Sequence, residues 1–261
     1  MTKYQLLINR TSVLLLALTT IFISAETKRL QAQDVDGNTT LEEVAEEEAM
    51  VGEEVTVRGE IEEVDPGVAF VLEEEEGLFD DDEVLVINVS EQIVPEASED
   101  MKLQVTGEVG TLILADVERD YGLDLDPEFY TEYESQPVIF ATYMVASPEI
   151  EEVSENPELF YGQEISVYGE VDEIRNDYAF TLEEDELFEG DDLLIINATG
   201  EPIPSEDEAV VVTGIVRPYI QSEFERDYDL TWDLDIQEEI EAEYTEKPVL
   251  VVDSIYPSAE D

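Results

Sequence analysis

Residues Gly52–Leu72 read GEEVTVRGEIEEVDPGVAFVL, and they return as Gly162–Leu182, GQEISVYGEVDEIRNDYAFTL, a shift of 110 residues (162 − 52). In both copies apolar and polar residues alternate through a central glycine, Gly59 or Gly169, and alternate again after a turn. Alternation with a period of two is typical of a strand with one buried face, and an internal glycine favours a bend. Each copy therefore predicts a long, bent β-hairpin.

The remainder of each repeat continues in the same order. Alternating or apolar runs predict five strands per repeat, at residues 55–64, 68–73, 84–88, 103–114 and 138–145 and again at 165–174, 179–182, 193–197, 210–216 and 249–255. Thr40 and Ser147 are candidate N-caps of a short helix ahead of each first strand. The acidic inserts at residues 118–137 and 225–248 end in prolines, and their second halves predict a helix between strands four and five.

This pattern resembles the OB-fold, a five-stranded Greek-key barrel, in its glycine-marked first and fourth strands and in its strand count. It is similar to uncharacterised exported bacterial proteins, often from cyanobacteria, that contain such modules. The resemblance implies a mainly β protein of two tandem five-stranded OB-like β-barrels. The residues themselves predict the short leading helix of each barrel and the helical insert between strands four and five, whereas the usual barrel has its helix between strands three and four. The predicted repeats are residues 39–147 and 148–261. A small β-sandwich is the alternative architecture.

The composition is strongly acidic. The 261 residues include 70 Asp and Glu against 11 Lys and Arg, a formal net charge of −59, yet 43% of them are hydrophobic, which is enough for two cores. The charge repels phosphate backbones and anionic membranes, so we expect no nucleic-acid partner and favour divalent cations or a basic protein. The chain has no His and no Cys, which excludes zinc–thiolate sites, Cys nucleophiles and His-based triads.

Residues 1–32 predict a secretory signal peptide. Lys3 and Arg10 precede an apolar run at residues 13–25, and we expect cleavage after Ala25 or Ala32. The run is too short to cross a bilayer comfortably, and no later segment approaches the required length. We therefore expect an exported protein, periplasmic or extracellular, with no stable membrane insertion after signal removal. An uncleaved signal anchor is the alternative.

Two acidic loops have the most suggestive chemistry. The loop after the second strand of each repeat, at residues 73–83 and 183–192, places a Leu-Phe pair between two acidic clusters. Calcium takes about six to eight oxygen ligands from flexible loops, and each of these loops can supply several carboxylates. We expect the affinity to be weak. Calcium is thus the candidate ion, and the candidate metal ligands are Glu76, Asp80, Asp81, Asp82, Asp185, Glu189, Asp191 and Asp192. The alternative is a solvated loop whose Leu-Phe pair plugs the barrel end.

Three further patterns favour structural roles. Residues 34–41 look like the start of an EF-hand loop but lack its glycine and its final glutamate, so we expect a linker. Glu-Arg-Asp-Tyr recurs, and we expect Arg119 and Arg226 to be at least half-buried between carboxylates, holding each insert against its barrel. The aromatic residues expected in the core or packed on a barrel are Phe70, Phe180, Tyr130, Tyr133, Trp232 and Tyr244.

The sequence offers no motif for catalysis. It has no Gly-rich phosphate loop and no Gly-x-Ser-x-Gly elbow, and among 70 acids a suitably spaced carboxylate pair arises by chance. We therefore expect a non-enzymatic, exported binding or scaffold protein, with no certain cofactor, whose acidic loops bind divalent cations or a basic partner. The alternatives are a structural or salt-tolerance module with no specific ligand and, with less support, a carboxylate-dependent hydrolase.

Overall fold

The computed structural model describes residues 38–46, 50–74, 83–90, 92, 101–184, 192–228, 234–245 and 247–259. The strands in these ranges are β1 (Glu54–Asp65), β2 (Ala69–Glu73), β3 (Glu83–Asn88), β4 (Lys102–Thr111), β5 (Pro137–Ala146), β6 (Glu164–Asn176), β7 (Ala179–Glu183), β8 (Leu193–Ile196), β9 (Ala209–Pro218) and β10 (Pro248–Pro257). The α-helices are α1 (Leu41–Glu46), α2 (Leu114–Tyr121), α3 (Pro127–Tyr130), α4 (Ile150–Glu155), α5 (Gln221–Tyr228) and α6 (Leu234–Tyr244). No helix among these is both long and apolar enough to span a membrane.

The first five strands close into a barrel. β1 pairs with β2 and β4, β2 pairs with β3, and β4 pairs with β5, all antiparallel. A parallel pairing of β3 with β5, which sets Val86 opposite Ile139, completes the ring. This strand order is that of an OB-like barrel, so the predicted mainly β, OB-like fold is confirmed. The β-sandwich alternative is wrong here, because a sandwich consists of two separate sheets and these strands form one closed ring.

The second five strands pair in the same order. β6 pairs with β7 and β9, β7 pairs with β8, β9 pairs with β10, and β8 pairs in parallel with β10. The halves join where Ala146 of β5 pairs with Ile165 of β6. All described residues belong to one compact unit. One hydrogen-bonded sheet of ten strands therefore runs through both halves.

A buried polar seam adds to this junction. The Gln104 Oε1 atom of β4 accepts hydrogen bonds from the Ser166 hydroxyl of β6, at 2.6 Å, and from the Tyr256 hydroxyl of β10. Thr213 of β9 lies 3.3 Å from Ser166, oxygen to oxygen. All four side chains are buried, and burial raises the pKa of the Tyr256 phenol. The seam therefore fixes one relative position of β4 against the second half, because each of these groups needs its partner inside.

The shared glycine of the first strand makes room for the leading helix. A Cβ atom on Gly59 would lie 2.7 Å from Cδ1 of Leu41 in α1. A Cβ atom on Gly169 would lie 3.1 Å from Cδ1 of Ile150 in α4 and 2.7 Å from the Glu183 carbonyl oxygen. The side chains of α1 and α4 belong to the two main core clusters, so each helix closes the end of its half.

The predicted N-cap is confirmed for the leading helix of the first half and is wrong for that of the second half. Thr40 caps α1 as predicted, since its Oγ1 accepts the Glu43 N–H at 3.2 Å. The predicted cap at Ser147 is wrong, because α4 begins only at Ile150. Ser147 is instead fully buried, and its hydroxyl accepts a hydrogen bond from Arg58 Nε at 2.8 Å.

Helices of the insert cover the outer face of β2 and β3. Phe70 and Val86 point into the barrel core, whereas Val71 and Leu85 belong to a second cluster shared with the segment from β4 to β5. Strands buried on both faces read as continuous apolar runs, which explains the sequence VLVIN of β3. The equivalent cluster in the second half packs β7 and β8 under α5 and α6.

Candidate functional site

The acidic ends of the β2–β3 and β7–β8 hairpins form the candidate site. Asp192 directly precedes β8 and is partly buried. Burial, with added repulsion from Glu243 and Asp192, raises the pKa of Tyr244 to about 12, so Asp192 lies near α6. The other predicted metal ligands lie outside the described residues: Glu76, Asp80, Asp81, Asp82, Asp185, Glu189 and Asp191.

Carboxylates at the base of the first loop line up across three strands. Glu60 of β1 lies opposite Glu73 of β2, and Glu73 lies opposite Glu83 of β3. Side chains opposite each other in antiparallel strands share a face with Cβ atoms about 5 Å apart, and like charges there are destabilising. Lys102 of β4 lies opposite Glu60, and its Nζ pairs with Glu149 Oε1 at 2.9 Å. We call Glu60, Glu73 and Glu83 the first carboxylate row.

The second half has a shorter row at the equivalent place. Glu170 of β6 lies opposite Glu183 of β7, and we call these two residues the second carboxylate row. Ala209 takes the place of Lys102, opposite Glu170. The second row therefore lacks the lysine that lies opposite Glu60 in the first half.

The first acidic residue after each hairpin strand caps a leading helix. Glu74 Oε1 accepts the Leu41 N–H at 3.0 Å, and Glu184 Oε1 accepts the Ile150 N–H at 2.7 Å. Helix N-termini have unpaired N–H groups and a positive potential, which suit a carboxylate. Burial raises the pKa of Glu184, although its hydrogen bond from Ile150 acts in the opposite direction. Sequence reasoning missed this role, and the shared shift of 110 residues was the available signal.

The described carboxylates do not form a preassembled metal cage. Within the described ranges, no group of three or more Asp or Glu side chains converges closely enough to hold a metal ion. Neighbouring strands lie about 4.8 Å apart, so a row across them spreads its oxygens along a line. The two rows can attract cations, but they do not by themselves surround one.

Arg119 and Arg226 do not anchor the inserts. Their side chains are 65% and 67% exposed, and they pair with acids of their own helices, Arg119 with Asp116 and Asp120 and Arg226 with Asp227. The prediction that they are at least half-buried is wrong, because both lie on the solvent face of α2 or α5.

Arg217 of β9 holds α5 in their place. Its side chain is 24% exposed, and Nη2 lies 3.3 Å from Glu223 and 3.2 Å from Asp227. Its guanidinium carbon lies 5.1 Å from the Phe224 ring centroid and 5.7 Å from that of Tyr228, a cation–π arrangement. One side chain of the barrel thus contacts four residues of α5.

The first half uses an aromatic pair at this place. Phe140 of β5 stacks on Tyr121 of α2 with ring centroids 5.4 Å apart. Gly110 leaves room for that ring, since a Cβ atom there would lie 2.3 Å from Phe140 Cε2. The two halves therefore hold equivalent helices, α2 and α5, by different contacts: ring stacking in the first half, and ion pairs with cation–π contacts in the second.

The aromatic predictions are confirmed where the structure describes the residues. Burial raises the pKa of Tyr130, and the hydrogen bond that its hydroxyl donates to Asp65, at 2.7 Å, raises the pKa further. Trp232 lies outside the described residues. The aromatic side chains that are buried as predicted are Phe70, Phe180, Tyr130, Tyr133 and Tyr244.

Two polar atoms at the end of β6 are buried without a hydrogen-bond partner among the described residues. They are Arg175 Nε and Asn176 Nδ2. The other end of the same guanidinium is paired, since Arg175 Nη2 lies 3.1 Å from Glu173 and 3.3 Å from Glu243. This arginine therefore ties β6 to α6.

Comparison with known proteins identifies no family. No known protein family matches this chain, and no curated protein matches it. One similar solved structure is the wild-type single-stranded DNA binding protein from Thermus aquaticus, at 7% identity and a TM-score of 0.22, covering 80% of this chain and 93% of that one. A deletion mutant of that protein matches at 9% identity and a TM-score of 0.21, covering 80% and 95%.

These comparisons correct one expectation. The expectation that excluded nucleic acid as a partner is corrected: both matched proteins are named as single-stranded DNA binding proteins, and the exclusion is not kept. Net charge averages over a whole surface, whereas a ligand meets one face, so the value of −59 does not exclude such a partner. A TM-score of 0.22 equally gives no ground for assigning DNA binding to this chain.

Proposed function

We propose that this chain is an exported, non-enzymatic binding and scaffold protein of two tandem OB-like barrels whose acidic hairpin ends attract divalent cations or a basic partner. Calcium is the ion to test first. The observation that supports this most directly is the first carboxylate row, Glu60, Glu73 and Glu83, with its counterpart in the second half.

The tandem arrangement is supported by pairing and by capping. The second five strands pair in the order of the first five, and Glu74 and Glu184 cap equivalent helices. Since the rows sit at the same place in each half, the protein presents two similar acidic ends on one continuous sheet. A scaffold of this kind needs no catalytic group.

The repulsion that a bound cation relieves lies within each carboxylate row. Carboxylates opposite each other on neighbouring strands repel, and folding brings them together. A divalent cation near the row reduces that repulsion in the folded chain more than in the unfolded chain, and it therefore stabilises folding by mass action. Affinity is expected to be weak because the strand residues do not surround the ion.

Thermal unfolding in calcium chloride and in sodium chloride of equal ionic strength tests the proposal. We expect calcium to raise the melting temperature beyond sodium, because it binds the rows in addition to screening the surface. The triple variant Glu60→Gln, Glu73→Gln, Glu83→Gln is expected to lose much of this excess. Its control is Glu152→Gln, Glu155→Gln, Glu158→Gln, which removes three exposed charges elsewhere and should retain it.

The salt-tolerance alternative predicts a different result. If the net charge of −59 only keeps the chain soluble, sodium and calcium at equal ionic strength stabilise it equally, and the triple variants behave alike. That outcome would reject the cation proposal.

Export is tested separately. We expect the protein isolated from the producing cell to begin after Ala25 or Ala32 and to fractionate with the periplasm or the medium. N-terminal mass spectrometry of the isolated chain decides this, and an intact residue 1 in a membrane fraction would instead support the signal anchor.

A further inference from the structure

A side-chain amide lies against the edge of β5 in the first half. Gln92 Nε2 donates to the Met144 carbonyl oxygen at 2.9 Å, and the Met144 N–H donates to Gln92 Oε1 at 2.8 Å. Met144 lies opposite Val105 of β4. In antiparallel strands every second residue points its N–H and C=O away from its partner, and Gln92 satisfies both of these groups at Met144.

A tight polar turn places Gln92 there. The Asn88 side chain donates from Nδ2 to the Gln92 carbonyl oxygen at 2.8 Å and accepts the N–H and the hydroxyl of Ser90. The Gln92 N–H in turn donates to the Ser90 hydroxyl at 3.1 Å. Asn88 is buried, so the turn is anchored in the barrel wall.

The second half builds the same turn around Asn197. Its Nδ2 donates to the Glu201 carbonyl oxygen at 3.0 Å, and its Oδ1 accepts the N–H and the hydroxyl of Thr199. The Glu201 N–H donates to the Thr199 hydroxyl at 3.2 Å. Glu201 therefore occupies the position of Gln92, but a carboxylate cannot donate a hydrogen bond to a carbonyl.

The backbone that Gln92 meets also recurs. Ile255 of β10 lies opposite Val212, as Met144 lies opposite Val105. Ser258 donates its N–H to the Ala209 carbonyl oxygen, so these two residues form a hydrogen-bonded pair. Hydrogen-bonded and non-hydrogen-bonded pairs alternate along antiparallel strands. The N–H and C=O of Ile255, three residues earlier, therefore point away from β9. No side chain in the described part of the protein is hydrogen-bonded to them.

A cavity of about 270 Å³ opens at this point. Such a volume is close to the lower end for small-ligand sites, about 300 Å³. The wall facing β10 contains two prolines, which have no N–H to offer the Ile255 carbonyl. The apolar and aromatic residues of the lining are Pro202, Ile203, Pro204, Val210, Ile255, Tyr256 and Pro257.

We propose that this cavity, the β10 groove, binds a primary carboxamide, such as a glutamine or asparagine side chain of a partner peptide. Its NH₂ donates to the Ile255 carbonyl and its oxygen accepts the Ile255 N–H, as Gln92 does at Met144. The apolar lining takes the methylene groups of the ligand. Glu201 and Glu208 in the lining disfavour a carboxylate of the same shape. This site is separate from the carboxylate rows.

Nuclear magnetic resonance of the full mature chain tests the site with propionamide as the probe. We expect propionamide to shift the Ile255 amide signal in a saturable manner and propionate, which has the same size, to leave it unchanged. Glu201→Gln places a tethered carboxamide on the same turn. We expect this variant to slow hydrogen exchange at the Ile255 amide by about tenfold or more and to lose the propionamide response.

Glu206→Gln is the matched control, since it removes an exposed acid of the same loop that does not line the groove. This control should bind propionamide as the wild type does, and its Ile255 amide should exchange hydrogen at the wild-type rate. If both variants behave alike, the loss of a negative charge explains the change at Ile255, and the proposal is overturned. An Ile255 signal that ignores propionamide, or follows propionate equally, overturns it as well. So does slow exchange of this amide in the unliganded wild type, because another group would then fill the groove. If Glu201→Gln does not fold, the wild-type titration alone still decides.

Discussion

Glu184 shows that a residue inside an acidic loop can have a structural role. Its carboxylate accepts the first N–H of α4, and Glu74 does the same for α1. Composition hides this role, because these two glutamates stand among many acids. The repeat reveals it, since residues with matching positions in the two halves have matching partners, as Asn88 and Asn197 also show.

The partly buried position of Glu184 predicts a pH-dependent stability. Because its pKa is raised in the folded protein, the folded state holds this proton more tightly than the unfolded state does. This group therefore lowers stability as the pH rises from the ordinary range of glutamate through the raised value. We expect Glu184→Gln to gain stability relative to the wild type over that interval and to level off above it. Urea unfolding between about pH 4 and pH 8 measures this.

Glu152→Gln controls for the loss of one negative charge, since Glu152 is exposed on α4, the helix that Glu184 caps. A stability difference between Glu184→Gln and the wild type that does not change with pH would contradict the assignment.

At the scale of elements, the sequence predicted strands better than helices. The glycine-centred hairpin and the two-sided apolar run of β3 led to the correct strand order. The fourth strand was predicted to reach residue 114, but it ends at Thr111, and α2 begins at Leu114. The spacing of Leu114, Val117 and Tyr121 is helical, yet it was hidden by the neighbouring alternation. The arginine that anchors α5 lies on β9, outside the repeated Glu-Arg-Asp-Tyr segment on which the prediction was based.

Arg217 holds α5 against β9, so its loss should destabilise the protein. We expect Arg217→Ala to lower the free energy of unfolding by about 1–2 kcal/mol, because the guanidinium stacks on two rings and pairs with two acids. Arg119→Ala, which removes an exposed arginine paired only within its own helix, should cause no measurable change. Urea unfolding of the two variants compares them, and equal losses would show that Arg217 is not an anchor.

For the whole molecule, the repeat predicted the outline of both halves but not how they join. The junction depends on residues that differ between the halves, since Gln104 of β4 faces Ser166 and Tyr256 across the seam. Comparing the two copies shows the residues that they share, whereas the contacts between the halves are made by residues that they do not share. Seven of the eight predicted metal ligands lie outside the described residues, and the eighth, Asp192, lies near α6.

Gln104→Leu tests how far the halves unfold together. The change removes the acceptor of two buried hydroxyl groups, and we expect a loss of about 1–3 kcal/mol together with a broader or divided calorimetric transition. Gln163→Leu alters an exposed glutamine and should leave a single transition. Should Gln104→Leu unfold as one sharp transition at an unchanged temperature, the seam would not couple the halves.

Ring closure also bears on behaviour at high concentration. A strand with both neighbours in place offers no edge on which a second chain can add a strand, so fibril growth has no starting point along the closed first ring. In β10 the N–H and C=O of Ile255 point away from β9, and Pro257, the next residue on that side of the strand, has no N–H with which to extend a ladder. The same short gap that admits a single amide is therefore too brief to template a fibre.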